Sequence, residues 1–312
     1  MRRVGISWSV VAIAALALVT GVLALAALHS SGSAANVTPL PTASALGNPG
    51  GPDTNKTKAK NDTVPDVEPP LSMVDPSLAY RATVGTCLGG STVEMTQDGG
   101  LSWVKWRSPV TALTSIRGQT TAVATVIGGD RKCDAGSWTA ASGGNSWSGP
   151  HPTTGLWFRL PQTTRKIATP TGSQLNPCPN KDTAVREIIG LDAENGVLLC
   201  ANGSIQTSVD GGLNWVPTTV IADAEALAWT DPTTGYLLRA NSALCPAFLL
   251  EHTIDGGANW GPGGCVGVEA DVASQTVAPS LDFADTQNGM ATVDGGTYLT
   301  TDAGLNWQKA HR

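Results

Sequence analysis

The sequence predicts an all-β domain made of repeated four-stranded units, and three observations lead to that prediction. First, an octapeptide of the form Thr/Ser-x-Asp-Gly/Ala-Gly-x-x-Trp recurs along the chain. Second, most copies lie 44 to 47 residues apart, and a propeller blade needs about 40–50 residues. Third, short β-rich runs alternate with glycine-containing turns, and no helical period is sustained after residue 28. The predicted fold is therefore a five- or six-bladed β-propeller.

Four copies of the octapeptide are intact and a fifth is degenerate. The degenerate copy runs from Ala140 to Trp147 and carries Ser142 where the others carry aspartate. The step from it to the next copy is 68 residues, and the extra sequence holds two short β-rich runs, at 155–161 and 166–170. These runs are either an insertion or a degenerate sixth blade. The signature residues of the intact copies are Thr96, Asp98, Gly100, Trp103, Ser208, Asp210, Gly212, Trp215, Thr253, Asp255, Gly257, Trp260, Thr300, Asp302, Gly304 and Trp307.

The chemistry of the octapeptide indicates a structural turn between the third and fourth strands of a blade. Aspartate side chains accept hydrogen bonds from the N–H groups of their own turn, and glycine adopts positive φ without steric cost. The tryptophan is expected to pack between neighbouring sheets and bury a large apolar area. A structural role is favoured over a row of acidic ligand sites.

Within a blade the strands can be placed from the sequence. The last unit predicts strands at 280–283, 289–293 and 297–300, with a fourth opening at 305–307. The unit that contains Asp210 repeats this order, with strands at 187–191, 196–200 and 204–207 and a fourth opening at 214–215.

The N-terminal part of the chain is predicted to be a membrane anchor. Residues 8–28 form an uncharged apolar run, long enough for a bilayer crossing of about 20 residues. Arg2 and Arg3 precede it, which places residues 1–7 in the cytoplasm and the rest outside. A cleaved signal peptide is the alternative. The predicted location is the cell membrane, with a single pass and an extracytoplasmic C-terminal domain.

The remaining chain divides into a linker and a folded domain. Residues 29–76 are rich in Pro, Gly, Ser, Thr and Asn, and such a segment buries too little apolar surface to offset its ordering entropy. We therefore predict a flexible linker over 29–76 and the propeller over 77–312. The net charge of −6 without a basic cluster argues against nucleic-acid binding.

The six cysteines predict three disulfides, since an even count in an oxidising compartment is typical of a disulfide framework. The favoured pairing joins Cys87 with Cys133, Cys178 with Cys200 and Cys245 with Cys265. The rival pairing joins Cys200 with Cys245 and leaves Cys178 for Cys265. All six are expected on the face opposite the octapeptide turns, with Cys178 and Cys265 in connections between blades. A binding surface on that face is a hypothesis.

The octapeptides resemble the Asp-box, or BNR, repeat of sialidases, sortilin-type propellers and photosystem II assembly-factor propellers. The likeness covers most of residues 79–310, and the order of anchor, linker, boxes and cysteines also resembles membrane-anchored actinobacterial propellers. The resemblance implies the fold but not an activity, because enzymes and non-enzymes share the repeat.

Catalysis has little support in the sequence. A sialidase carries an arginine triad, a Tyr/Glu nucleophile pair and an acid/base Asp, together with a Phe-Arg-Ile/Leu-Pro motif before its first box. Phe158-Arg-Leu-Pro161 matches those letters but follows two of the boxes, so we interpret it as an ordinary amphipathic strand. No catalytic residue, metal site or cofactor is predicted, and no motif of another enzyme class is present.

The predicted function is a non-catalytic, membrane-tethered propeller that acts as a protein-binding scaffold or assembly factor. Its partner would be an envelope or secreted protein, or a cell-surface glycan. The alternative is a sialidase-like glycoside hydrolase or a glycan-binding lectin. A third possibility is a surface-exposed protein without a small ligand.

Overall fold

A computed structural model describes residues 67–161, 163–180, 183–267 and 277–311. The predicted anchor at 8–28 and most of the predicted linker lie outside the described residues. Among the described residues, none forms a helix with the length and apolar character needed to traverse a bilayer.

The described residues form a six-bladed β-propeller of antiparallel sheets. Blade 1 contains β1 (Leu71–Met73), β2 (Ala79–Thr83), β3 (Thr92–Thr96) and β4 (Val104–Trp106). Blade 2 contains β5 (Ala112–Gly118), β6 (Ala124–Gly129), β7 (Ala135–Ala140) and β8 (Trp147–His151). Blade 3 contains β9 (Phe158–Arg159), β10 (Lys166–Thr169) and β11 (Gly172–Leu175).

The second half of the ring is more regular. Blade 4 contains β12 (Val185–Gly190), β13 (Gly196–Cys200), β14 (Ser204–Ser208) and β15 (Val216–Val220). Blade 5 contains β16 (Ala224–Trp229), β17 (Gly235–Arg239), β18 (Phe248–Thr253) and β19 (Gly261–Val266). Blade 6 contains β20 (Ser280–Phe283), β21 (Gly289–Val293), β22 (Gly296–Thr300) and β23 (Gln308–Lys309).

Each sheet uses strands that are consecutive in the chain, and the first strand of each blade is the innermost one. These inner strands contact one another in the cyclic order β1, β5, β9, β12, β16, β20 and back to β1. The ring is therefore closed, although no blade borrows a strand from the other end of the chain.

The structure resolves the open question about the long step between octapeptides. The two runs after the degenerate copy form β9 and β10, so they are a sixth blade and not an insertion. This blade has three strands, including β11, which was not predicted. Its β10–β11 turn meets the octapeptide turn of blade 4, where the N–H of Thr171 donates to the carbonyl of Gly211 at 3.3 Å.

Two predicted boundaries are corrected. The fourth strands begin after the tryptophans and not on them, at Val216 in blade 4 and Gln308 in blade 6, because the octapeptide turn extends to the tryptophan. The propeller also begins inside the segment assigned to the linker. Glu68 is buried and β1 spans Leu71–Met73. The boundary was placed too late because β1 has only three residues and lies among prolines, at positions 69, 70 and 76.

The core lies between the blades, and the octapeptide tryptophans lie at its edges. Trp307 packs with Phe283 against the apolar side chains of blades 5 and 6. Trp103 packs against Met73 and Met290 at the contact between blades 1 and 6. These indoles are partly buried, so each contributes apolar contact at a blade interface.

The disulfides follow the favoured pairing. Cys87–Cys133, Cys178–Cys200 and Cys245–Cys265 have Cα–Cα distances of 5.4, 5.9 and 5.3 Å. All six cysteines lie near the same edge of their strands, and we call this edge of the ring the cysteine face. Cys265 lies within β19 and not in a connection between blades, which corrects its predicted place.

Candidate functional site

The octapeptide turns are held by their own side chains, as blade 5 shows. The Thr253 hydroxyl donates to Asp255 Oδ1 at 2.8 Å and accepts the N–H of Gly257 at 3.0 Å. Asp255 also accepts the backbone N–H of Asn259 at 2.9 Å and its side-chain N–H at 2.7 Å. The Asn259 amide side chain, then its backbone N–H, lower the pKa of Asp255 to about 2. The turns built on Asp98, Asp210 and Asp302 make the corresponding bonds.

The degenerate octapeptide keeps the shape of the turn with fewer bonds. Gly143 and Gly144 have positive φ values of 62° and 75°, as in the intact copies. The hydroxyls of Ser142 and Ser146 are 2.7 Å apart, and Ala140 supplies no hydroxyl at all. The turn of blade 2 is thus held by a side-chain contact that replaces a carboxylate network.

A second set of turns repeats around the ring and was not predicted from the sequence. It joins the first and second strands of a blade, and we call these the inner turns. In blade 5, Asp231 Oδ1 accepts the N–H groups of Thr233 and Thr234 at 2.8 and 3.0 Å. Asp75, Asp192 and Asp285 do the same in blades 1, 4 and 6, and Thr120 does so in blade 2. The signal was an aspartate two residues before a turn N–H, a pattern typical of Asx turns.

Each inner turn is joined to the octapeptide turn of its own blade by one backbone hydrogen bond. In blade 5 the N–H of Gly256 donates to the carbonyl of Thr233 at 2.8 Å. The equivalent pairs in the other four blades that carry an octapeptide are Gly99–Ser77, Gly143–Ala122, Gly211–Glu194 and Ala303–Gln287. We call this surface the turn face. It is a continuous layer of paired turns on the side of the ring opposite the cysteine face.

A cavity of about 910 Å³ occupies the central channel and opens on the turn face. Its walls are the inner strands, and its rim is made of inner-turn residues, including Asp192, Asp231 and Asp285. At the other end it reaches Glu68 and Pro69. The binding surface hypothesised from the sequence lies on the cysteine face, whereas this cavity opens on the opposite face.

The lining of the cavity is strongly acidic. Its charged residues are one arginine, Arg117, and six carboxyl groups, those of Glu68, Glu187, Asp192, Asp231, Asp282 and Asp285. The low-dielectric walls of a cleft strengthen the field of charges of one sign. The channel mouth therefore presents a negative potential to any ligand that approaches it.

Three of these carboxyls lie deep in the channel and have raised pKa values. Burial, against the opposing charge of Arg159, raises the pKa of Glu187 to about 7. Burial also raises the pKa of Asp282 to about 7, although N–H groups of Met73 and Phe283 lower it. The pKa of Glu68 is raised well above its usual value by burial and by Glu187. Glu187 and Asp282 touch the channel with part of their surface, yet protein surrounds them on the other sides.

Arg159 lies beside this group and was misinterpreted in the sequence. Phe158 and Arg159 are only 1% and 4% exposed, so β9 is buried on both sides and is not an amphipathic strand. Burial lowers the pKa of Arg159, while Glu187 and Glu68 oppose that effect. Its Nη2 atom is buried without a hydrogen-bond partner. Arg159 is therefore a buried cation that lies behind the wall of the cavity and does not line it.

Three of the described arginines form ion pairs, and none of them lines the channel cavity. Arg81 pairs with Glu94, and Arg239 pairs with Glu251, at 2.7 and 3.0 Å. Arg186 is likewise paired with Glu225. The described residues thus show no arginine triad of the kind that clamps a substrate carboxylate. They also contain no group of three or more His, Cys, Asp or Glu side chains arranged to hold a metal ion.

Comparison with solved structures found chains that are similar to this one at low sequence identity. A GH74 enzyme from Niastella koreensis aligns with a TM-score of 0.45 and 12% identity, over 78% of this chain and 46% of that one. The WD40 propeller domain of Doa1 aligns with a TM-score of 0.43 and 11% identity, over 79% of this chain and 82% of that one. YCF48 bound to D1 peptide aligns with a TM-score of 0.32 and 13% identity, over 78% and 81%.

At these TM-scores the similarities carry no conclusion about this chain. The chain spans less than half the length of the GH74 enzyme. No protein-family model matches the sequence, and no curated protein matches it.

Proposed function

We propose that this protein is a non-catalytic, membrane-tethered propeller that binds a segment of another protein at the channel mouth on the turn face. The observation that carries the proposal is the open cavity of about 910 Å³, framed by rigid paired turns. Concave, pre-formed sites of about 300–1,000 Å³ are typical of ligand-binding sites. The tether itself rests on the apolar run at 8–28, and its compartment on the residues that flank that run.

The deep carboxyls support binding over hydrolysis. A glycoside hydrolase needs two carboxyls that are free to act on substrate. Both oxygens of Glu68 accept backbone N–H groups, from Leu227 and Leu281, and Asp282 accepts that of Met73. Two of the three deep carboxyls are therefore engaged in structural bonds. This favours the scaffold over the sialidase-like alternative.

The charge of the mouth supports a partner segment that carries lysine or arginine. Six carboxyls and one arginine line the cavity, and complementary potentials steer association and select partners. The octapeptide turns add apolar surface on the same face, since Val209 and Ile254 are each 76% exposed. A segment with basic and apolar residues would match both features.

The experiment that tests this proposal is photo-cross-linking in intact cells with the full chain. A photoreactive residue at Thr121, exposed in the inner turn of blade 2, should yield a reproducible protein adduct. The matched control is the same residue at Leu88 on the cysteine face, which is 91% exposed. We expect the Thr121 adduct to weaken as salt increases, because exposed charges are screened at a Debye length of about 8–10 Å near physiological ionic strength.

The outcomes separate the alternatives. An adduct from Leu88 but not from Thr121 would place the partner on the cysteine face and contradict the proposed site. No protein adduct from either position, together with retention on immobilised glycans, would favour the lectin alternative. Turnover of a fluorogenic glycoside that is lost in Glu187→Gln would overturn the non-catalytic proposal.

A further inference from the structure

The outermost strand of blade 3 has an open edge. The strands of this blade follow one another in the order β9, β10, β11 from the channel outwards, so β11 has a ladder partner on one side only among the described residues. Gly172, Ser173 and Leu175 of this strand are exposed. An exposed strand edge offers unpaired N–H and C=O groups with which a strand of another chain can pair.

The register of the β10–β11 hairpin shows which backbone groups point outwards. Just past the ends of the two strands, the N–H of Asn176 donates to the carbonyl of Arg165 at 2.8 Å, so these residues form a hydrogen-bonded pair. Because such pairs alternate with non-hydrogen-bonded ones, Gln174 also bonds to β10, whereas Ser173 and Leu175 direct their N–H and C=O groups to the open edge. No strand of the described chain lies beside that edge.

The outermost strands of the other five blades are protected against such pairing. Each contains a lysine or a proline, and both residues blunt a strand edge, since proline cannot donate to a ladder and lysine disfavours burial beside another strand. β11 has the sequence Gly-Ser-Gln-Leu and contains neither. With four residues it is also longer than β4 and β23, which have three and two. The protecting residues are Lys105 in β4, Pro150 in β8, Pro217 in β15, Pro262 in β19 and Lys309 in β23.

The side chains beside the open edge indicate the chemistry of the strand that would pair there. Leu175 lies opposite Lys166 in the ladder, so both side chains project from the same face of the sheet, and Lys166 is exposed. A residue added beside Leu175 lies two strand spacings, about 9–10 Å, from the backbone of Lys166. A glutamate at that position can reach the Lys166 ammonium group, and its apolar neighbours can cover Leu175, which is 62% exposed.

Neither a second copy of β11 nor this chain's own linker matches that chemistry. A second β11 brings no carboxylate to the edge. Prolines interrupt residues 29–66, and the longest proline-free run, 53–64, carries three lysines and two aspartates. Its net charge therefore has the same sign as that of Lys166, and like charges repel.

We propose that β11 is a strand-addition site, at which an extended segment of a partner protein with acidic and apolar side chains pairs with Ser173 and Leu175 and extends blade 3 to four strands. Main-chain bonds supply affinity at such a site, and side-chain contacts, here with Lys166 and Leu175, supply specificity. The site goes beyond the proposed function and does not depend on it, because β11 lies at the rim of blade 3 and does not line the channel cavity.

Hydrogen exchange of the full chain with a synthetic peptide tests the site. The probe is an end-blocked peptide of alternating valine and threonine with one central glutamate, and the readout is the exchange of the Ser173 and Leu175 amides. Without the peptide, both amides should exchange near the intrinsic rate, whereas the Gln174 amide is protected by β10. With the peptide at about ten times the Kd that its titration gives, both should slow by about tenfold.

Variants separate strand pairing from other modes of binding. Leu175→Pro removes an outward N–H but no bond between β10 and β11, so the peptide should no longer protect the Ser173 amide. Leu175→Thr keeps that N–H and is the matched control, in which protection should persist. Lys166→Glu should weaken binding of the glutamate peptide by about threefold or more, and it should favour the same peptide with lysine in place of glutamate. Protection of the Gln174 amide in each variant shows that the hairpin is intact.

Four results would overturn the proposal. The first is unchanged exchange of the Ser173 and Leu175 amides at peptide concentrations up to about 1 mM. The second is equal protection in Leu175→Pro and in the natural sequence. The third is a peptide preference that stays the same in Lys166→Glu, which keeps the test decisive even where Leu175→Pro disturbs β11.

The fourth result is protection of both outward amides without any peptide. Protection that depends on protein concentration would identify a second copy of the chain as the occupant of the edge. Protection that does not depend on it would identify a segment of the same chain.

Discussion

The two faces of the propeller fix their connections in different ways. On the turn face, each intact octapeptide turn is held by a hydroxyl, a carboxylate and one bond to an inner turn. On the cysteine face, the longer connections are held by three disulfides. A short turn that repeats can be held by hydrogen bonds from its own residues. A longer connection is stabilised more by a disulfide, because the cross-link lowers the entropy of the unfolded chain. In the sequence, the turn face can therefore be recognised by the repeated octapeptides and the cysteine face by the positions of the cysteines.

Removing a disulfide should give the largest effect. The Cys87–Cys133 bridge joins blades 1 and 2 over 46 residues of chain, and the Cys245–Cys265 bridge spans 20 residues within blade 5. Replacing both members of a bridge by alanine should cost about 4 kcal/mol for the longer loop and about 3 kcal/mol for the shorter one. Denaturant unfolding measures both. A larger loss from the shorter loop would show that local packing, and not loop length, decides the contribution.

Removing one octapeptide hydroxyl should have a smaller effect. Thr253 is 1% exposed and its hydroxyl accepts the buried N–H of Gly257. In Thr253→Val that N–H loses its acceptor, which should cost about 1–3 kcal/mol of unfolding free energy. Thr301→Val, at an exposed position of the last octapeptide, is the matched control, with an expected change within about 0.5 kcal/mol. Equal losses in the two variants would contradict the structural role of the hydroxyl.

The pH dependence of stability should distinguish the turn-face carboxylates from the deep ones. Asp231 and Asp255 have pKa values of about 2, so the stability they provide is present above their ordinary value of 3.8 and is lost as pH falls through about 2. Glu187 and Asp282 act in the opposite direction, and stability is gained as pH falls from about 7 towards 4.5. Thermal unfolding from pH 2 to pH 8 should show a maximum near pH 4–5. A steady rise in the melting temperature to pH 8 would contradict the raised pKa values of Glu187 and Asp282.

Repairing the degenerate turn of blade 2 should have the smallest effect. Ser142→Asp restores the carboxylate that the other octapeptides carry, next to Ser146 and its hydroxyl. We expect a gain below about 1 kcal/mol, because a typical hydrogen bond contributes about 0.5–1.5 kcal/mol net and this site is exposed. Adding Ala140→Thr should increase the gain. Calorimetry of the single and double variants measures both, and a loss of stability in the double variant would show that the turn has adapted to its own residues.

Much of the fold could be predicted from local signals. The octapeptide spacing, the strand runs and the symmetric placement of Cys245 and Cys265 about one turn are all readable in the chain, because hairpins are local structures. Blade 3 was harder, since its turn at Thr171 lacks the octapeptide and relies on a contact with Gly211 of the next blade. β1 was missed because it has only three residues and lies among prolines, so it carries too little pattern to signal a strand.

The site was the least predictable part. Glu187 and Asp282 were placed in inner strands, but their meeting in the channel depends on which edge of each blade faces the axis. Glu68 was assigned to the linker, because its role arises only when the ring closes against Leu227 and Leu281. Contacts between residues so far apart in the chain produce no periodic pattern in the sequence. One signal was present: carboxylates inside otherwise apolar inner strands indicate either a paired charge or a lined channel.

The contiguity of each blade has a further consequence, for the modularity of the molecule. A break between Ile221 and Ala224, the connection of β15 to β16, leaves every sheet intact. The four blades before the break and the two after it could then be made as separate polypeptides and reassembled through their blade interfaces. Each blade is in this respect a separate structural module. A whole blade can be duplicated, exchanged or deleted without removing a strand from a neighbouring sheet.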